Sequence, residues 1–216
     1  YNFSRDALEQ KHLTTLITLA KSKALQIDHY FADVKRVQHI FRDYAHLKES
    51  MSILEGQEAE TYDSLLQPYQ NLLQQLGQSI NTDHKIMDWW VTGSEGIVLF
   101  SQAGGTGEAF AEFEQLPFPN EQEVTFGEVR RGENQTYCYV VGPAYDSYQN
   151  HTGFIVIKVN VAPVMKWMAD TTGLGKSGEL QLGQTLGQKV LYLNKMRHDE
   201  TYKVRTIFEN EPIDLP

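Results

Sequence analysis

The residues best suited to chemistry cluster at 130–148, RRGENQTYCYVVGPAYDSY. Alternation along a strand puts Tyr137, Tyr139 and Val141 on one face of a sheet and Cys138 and Val140 on the other. A tyrosine brings apolar ring area together with one directed hydroxyl, which suits the wall of a small-molecule pocket. Arg130, just upstream, could pair with a carboxylate, and Trp90 in IMDWWVT could wall the same pocket from a neighbouring strand. A competing structural reading stands beside this one, because tyrosines on a sheet also serve as packing residues.

Other chemistry is poorly supported. In GLGKS, Gly175, Lys176 and Ser177 fit the end of G-x-x-x-x-G-K-[ST], but Asp170 stands where the first glycine belongs. A phosphate loop also needs a strand before it and a long helix after it; here helical spacing precedes and the strand-like GELQLG follows. The 7 histidines show no paired metal-ligand spacing, and neither a nucleophile elbow nor a catalytic carboxylate pair is visible, so no metal, cofactor or catalytic role is expected. A net charge of -9 gives no electrostatic footprint for nucleic acid or an anionic membrane surface. The single Cys138 rules out an intrachain disulfide. No stretch reaches the roughly 20 apolar residues of a membrane span. The missing initiator Met is taken to indicate a fragment of a longer protein.

The elements that must position these residues follow from periodicity. From Ser4 to Leu47 there is neither Pro nor Gly, and Leu13, Ile17, Ala20, Ala24, Ile27, Phe31, Val34, Val37, Phe41 and Tyr44 recur at helical spacing. One long amphipathic helix of roughly 65 Å is expected, its C-terminal half a core helix and its N-terminal half a seam for a second copy. A second helix spans Ala59 to Leu76, kinked or split at Pro68. Strands follow at Ile86–Thr92 and Ile97–Ser101, joined by GSEG, then a short helix at Glu108–Leu116 and a weak strand at Val124–Val129. Two strong strands, Gln135–Val141 and Gly153–Val161, complete an antiparallel sheet of about five strands in an α+β fold. The long helix covers one face and a loop with a short helix the other. Residues 153–183 then read as strand, helix at Ala162–Ala169, glycine turn and strand, the junction to a second module. Further strands are expected near Glu179–Leu182, Val190–Leu193 and Tyr202–Phe208.

The order of long entry helix, GSEGIVLFS hairpin, YVVGPAYD strand and loop, GFIVIKVNVAPVMKWM strand and helix, then TGLGKSGELQL and VLYLNKMRHD, resembles the extracytoplasmic Cache (PDC, PAS-like) sensor domains of bacterial histidine kinases, diguanylate cyclases and chemoreceptors. The resemblance covers nearly the whole chain. It implies an entry helix over 1–47, a membrane-distal sensor module over 48–168 and an incomplete membrane-proximal module over 169–216. It also implies a membrane-anchored parent protein with its sensor outside the cytoplasm, and a small-metabolite ligand such as an amino acid, carboxylate or amine. Tyr145 and Asp146 fall where the family's pocket rim leaves the sheet, and Asp146 there could pair with a ligand amine, although an Asp after Pro-Ala-Tyr is equally a turn former. The ligand-binding set is therefore Trp90, Arg130, Tyr137, Tyr139, Tyr145 and Asp146. One departure stands out. Amino-acid-binding members carry an Arg and a Trp-Tyr pair between the hairpin and the later strands, and AFAEFEQLPFPNEQEV at Ala109–Val124 has neither. The alternative is an interaction or dimerisation module with no small-molecule ligand.

Overall fold

A computed structural model describes residues 2–54, 61–80, 85–102, 106–118, 123–132, 135–170, 172, 174, 179–186, 189–193 and 204–206. The stretch free of Pro and Gly forms helix α1, Asn2–Asp43. It ends four residues before the expected Leu47, because Tyr44 is extended (φ -68°, ψ 119°) and starts a separate helix α2, Ala45–Ile53. That break re-aims the chain so that Leu47, Ser50 and Met51 are buried. Helix α3, Tyr62–Ile80, runs through Pro68 and is not split. Proline in the second turn removes a single backbone donor, while Leu66 and Leu73 are held in the core on either side of it.

Strands β1 (Ile86–Gly93), β2 (Val98–Ser101), β3 (Thr125–Phe126), β4 (Arg130–Arg131), β5 (Thr136–Tyr145) and β6 (His151–Asn160) form a six-stranded sheet in the order β2-β1-β6-β5-β3, with β4 also on β5. All of its pairings are antiparallel. Helix α4 occupies Ala162–Ala169. A three-stranded sheet of β7 (Gly183–Leu186), β8 (Lys189–Tyr192) and β9 (Val204–Thr206) follows.

The chain divides into two compact units, one of residues 31–161 and one of 1–30 with 162–216. In the unit of 31–161, β-alternation sorts the strand residues. Trp89, Val91, Ile155, Ile157, Cys138 and Val140 lie buried on one face, with Phe41, Leu47, Leu66 and Leu73 from the helices also fully enclosed. The Phe41 and Trp89 rings pack at 5.0 Å, and the buried Gln38 amide donates to the Ile155 carbonyl at 3.1 Å. Gly77 lets α3 pass close over the fully buried Trp89, whose indole a Cβ at that position would strike. The opposite face carries a second apolar cluster of Leu116, Tyr139, Val141 and Val156, with Trp90, Phe110, Phe113, Tyr137 and Phe154 packed against it.

The cover over this second face departs from the expected helix at Glu108–Leu116. Backbone bonds from Gly107 to Val98, from Val98 to Glu108 and from Phe110 to Gly96 draw the segment alongside β2, so only a short 3₁₀ turn forms, at Phe113–Gln115. Strand β5 continues past Val141 through Pro143 to Tyr145, because Pro143 needs no donor where it pairs with Phe154 beside the hairpin end. In the unit of 1–30 and 162–216, the Tyr30 and Trp167 rings meet edge to face at 5.6 Å, and the Lys23 ammonium bonds the Asp170 carboxylate at 3.1 Å. The strand expected at Glu179–Leu182 begins instead at Gly183. The ladder runs from Gly183 opposite Tyr192 to Leu186 opposite Lys189, and just beyond it the Leu182 carbonyl accepts from the Leu193 N–H. The GLGKS glycines lie outside the described residues.

Candidate functional site

The face of the sheet away from the helices is built in cross-strand rows. Asp88 on β1 stands opposite Lys158 on β6, and Lys158 stands opposite Tyr139 on β5. In the next row Trp90 stands opposite Val156, and Val156 opposite Val141. The segment beside β2 roofs the row ends with Phe110, Ala111 and Glu112, leaving a cleft of about 360 Å³. That volume lies within the range of small-molecule sites, roughly 300–1,000 Å³.

Three aromatic rings wall the cleft. Trp90 and Phe110 lie 5.0 Å apart, Phe110 and Tyr139 6.0 Å, and Trp90 and Tyr139 6.3 Å, all edge to face. The Tyr139 hydroxyl donates to Glu112 Oε1 at 2.8 Å, and Arg130 Nη1 pairs with Glu112 Oε2. Arg130 Nη2 donates to the Gln115 carbonyl at 3.2 Å, and the guanidinium sits 5.4 Å over the Tyr139 ring. Burial, reinforced by the neighbouring Glu112 carboxylate, pushes the Tyr139 hydroxyl well above its ordinary pKa, so it is a fixed donor at neutral pH. The Lys158 ammonium lies 4.0 Å over the Tyr137 ring. Burial raises the Asp88 pKa above its ordinary value; the Trp89 N–H, at 2.9 Å, and the charge of Lys158 oppose that rise in part.

Of the six residues singled out from sequence, Trp90 and Tyr139 line this cleft, while Tyr137, 5.7 Å from the Tyr139 ring, and Arg130, paired with Glu112, stand behind its wall. Tyr145 and Asp146 do not join them: Tyr145 is six residues farther along β5 from Tyr139, about 20 Å at a strand's rise. Asp146 lines a different hollow of about 550 Å³, beside Met51, Gly93 and His151. Its carboxylate is 1% exposed and accepts from the backbone N–H groups of Tyr148 and Asn150, each at 2.8 Å, and from the Asn150 side-chain amide at 2.9 Å. Burial alone would raise its pKa; the bonds from Asn150 and Tyr148 outweigh burial and lower it. This is the geometry of an Asp that closes the β5–β6 turn, where Gln149 takes φ 69°. The Tyr145 ring lies 6.1 Å from His151. Among the described residues no group of three potential ligands could hold a metal ion.

Reasoning from the sequence missed Asp88, Phe110, Glu112 and Lys158. Asp88 and Lys158 had a signal, each being the lone charge inside an apolar strand. Phe110 and Glu112 had none, because the segment that carries them reads as a short helix and only the backbone bonds with Gly96 and Val98 bring it over the sheet.

No protein-family model matches the sequence, and no curated protein matches it. Solved structures do. The sensory domain of the Campylobacter jejuni chemoreceptor Tlp3 (CcmL) aligns with a TM-score of 0.55 at 9% identity, covering 91% of this chain and 94% of that one. The chain has the fold of a chemoreceptor sensory domain. The Tlp3 ligand-binding domain in complex with L-valine aligns with a TM-score of 0.53 at 10% identity, over 91% of this chain and 93% of that one. The sensor domain of the V. cholerae histidine kinase DctB aligns with a TM-score of 0.49 at 11% identity, over 93% and 91%. The α+β sensory-domain architecture implied by the sequence resemblance is thus the one present. At such identity it is the backbone plan that is shared, and the chemistry of the cleft rests on this chain's own side chains. Among the described residues no helix is long and apolar enough to cross a membrane.

Proposed function

We propose that this chain is the extracytoplasmic ligand-sensing part of a bacterial transmembrane signalling receptor, binding a small molecule in the cleft of Trp90, Phe110 and Tyr139. The observation that carries the reading is the position of that cleft. It lies on the face of the six-stranded sheet opposite the one that packs on Phe41, and presents aromatic walls with a few convergent charged groups, the usual make-up of a small-ligand site. The other face of the same strands is packed against the C-terminal half of α1 through Phe41 and Gln38. A ligand that favours one arrangement of β1, β5 and β6 would bias α1, a continuous 42-residue helix, and so pass its binding along the helix axis.

In this reading residues 169–216 begin a membrane-proximal module, the parent protein is membrane-anchored, and the chain itself has no catalytic role. The fold supports it because its structural neighbours are sensory domains. Thermal unfolding of the 216-residue chain against amino acids, organic acids, amines and nucleotides tests it. A compound that binds only the folded state, at about 100 times its dissociation constant, adds roughly 2.7 kcal/mol. Silence across the whole set counts against the proposal.

Pairing of two copies through the N-terminal half of α1 belongs to the same proposal. Leu13, Leu16, Ile17 and Leu25 there are between 42% and 57% exposed, more apolar surface than one solvated helix normally shows. Sedimentation should show a concentration-dependent dimer that Leu16→Glu abolishes; a monomer at every concentration would remove this element.

A further inference from the structure

Taking the cleft as the ligand site, which is the reading above, we infer that its ligand is an organic cation, a quaternary or protonated amine, rather than a carboxylate or a zwitterionic amino acid. The first ground is charge. Asp88, Glu108 and Glu112 line the cleft, against the single ammonium of Lys158. Arg130 stands behind Glu112, so three carboxylates meet two cations and one negative charge is left over.

The second ground is how the two cations are spent. The Arg130 fork is closed on Glu112 and on the Gln115 carbonyl, and its plane rests 5.4 Å from the Tyr139 ring centre. Lys158 lies opposite Asp88 in the ladder, with its ammonium 4.0 Å over Tyr137. A ligand carboxylate that took Arg130 would have to break its pair and leave Glu112 without its cation in a partly buried site, which is costly, and one that took Lys158 would have to draw its ammonium off the Tyr137 ring. A ligand cation breaks neither. The Glu108 carboxylate, exposed at the rim, has no hydrogen-bond or ion-pair partner among the described residues and is available to it.

The third ground is independent of charge. Trp90, Phe110 and Tyr139 lie within 5.0 to 6.3 Å of one another around the cleft. The negative faces of aromatic rings attract organic cations, and walls built from several rings are the known solution for quaternary ammonium groups.

The test is calorimetric titration and thermal unfolding of the whole chain with tetramethylammonium, choline and putrescine, beside succinate, L-valine and L-isoleucine. At least one of the three cations should bind and raise the unfolding midpoint. Its affinity should fall about twofold to fivefold in Glu108→Gln, and binding should be lost in Glu108→Lys, the loss of one rim ion pair and its reversal. Glu108 is exposed, so both variants keep the fold; Trp90→Ala, checked for folding by circular dichroism, should lose the cation as well. If succinate or an amino acid binds, the cations do not, and Trp90→Ala removes that binding, the cation inference is overturned while the cleft remains a sensor site. Cation binding that survives both Glu108→Lys and Trp90→Ala places the ligand elsewhere and also overturns it. If no compound of any class binds, the cation inference falls together with the sensing proposal.

Discussion

If binding in the cleft is to reach α1, that helix must be part of the sheet's own core, and Phe41→Ala tests this. Phe41 is 0% exposed, and its ring packs at 5.0 Å on Trp89, itself 1% exposed. Truncation removes the buried ring and leaves a cavity against Trp89, which is itself already enclosed and cannot easily fill it. Phe→Ala at such sites costs about 3–5 kcal/mol. For a chain of this size each kcal/mol lowers the melting midpoint by roughly 2–4 °C, so a fall of roughly 6–20 °C is expected. Urea unfolding followed by tryptophan fluorescence in a Trp167→Phe background reads the unit of 31–161 alone, because Trp89 and Trp90 both lie in it. The urea midpoint should drop with the slope unchanged. Leu13→Ala, at a residue 52% exposed near the other end of α1, should change stability by no more than about 0.5 kcal/mol in the same assay. A Phe41→Ala cost below about 1 kcal/mol would refute the claim that this end of α1 is built into the sheet unit.

Asp146 accepts three hydrogen bonds and its pKa is lowered on folding, so it stabilises the fold above its unfolded pKa, and that contribution is lost as pH falls through the folded value. Asp146→Asn should cost about 1–3 kcal/mol at pH 7, and the difference from wild type should shrink in acid urea titrations; a gap that stays constant down to pH 2 would argue against the assignment. Cys138 is buried and its thiol is pushed up to about 12, so Ellman's reagent at pH 8 should label it only after denaturant is added. Rapid labelling of the native chain would mean that β5 opens far more readily than its central place in the sheet allows.

Much of this was legible in the residues because most of the fold is set by periodicity. Helix α4 lies where its spacing put it, at Ala162–Ala169, and the alternation in TYCYVV placed Tyr139 and Val141 on one face and Cys138 on the other. Local rules failed where a long-range bond decided the outcome. The segment after Glu108 has helical composition, yet pairing with Gly96 and Val98 straightens it, and neither partner is near it in the sequence pattern. The extended backbone of Tyr44, which ends α1 early, carries no Gly or Pro to announce it.

The site divided in the same manner. Tyr137 and Tyr139 were put on one face by strand alternation, whereas Trp90 and Arg130 were chosen for what their side chains could do. Tyr145 and Asp146 were placed by analogy with a rim, and here the chain at that point folds into a turn closed by the Asp146 carboxylate. Glu112 was invisible because its importance comes from Arg130 and Tyr139, which reach it from two other strands.

The central claim is that the chain senses a small molecule in the cleft on the outer sheet face. It is tested most directly by thermal unfolding of the wild-type chain, Trp90→Ala and Asp146→Asn side by side against one set of amines, carboxylates and amino acids. The account predicts that a compound raising the wild-type midpoint will also raise that of Asp146→Asn, from its lower baseline, and will leave Trp90→Ala unmoved. A compound whose effect survives in Trp90→Ala and disappears in Asp146→Asn would contradict it, moving the site to the hollow beside the β5–β6 turn.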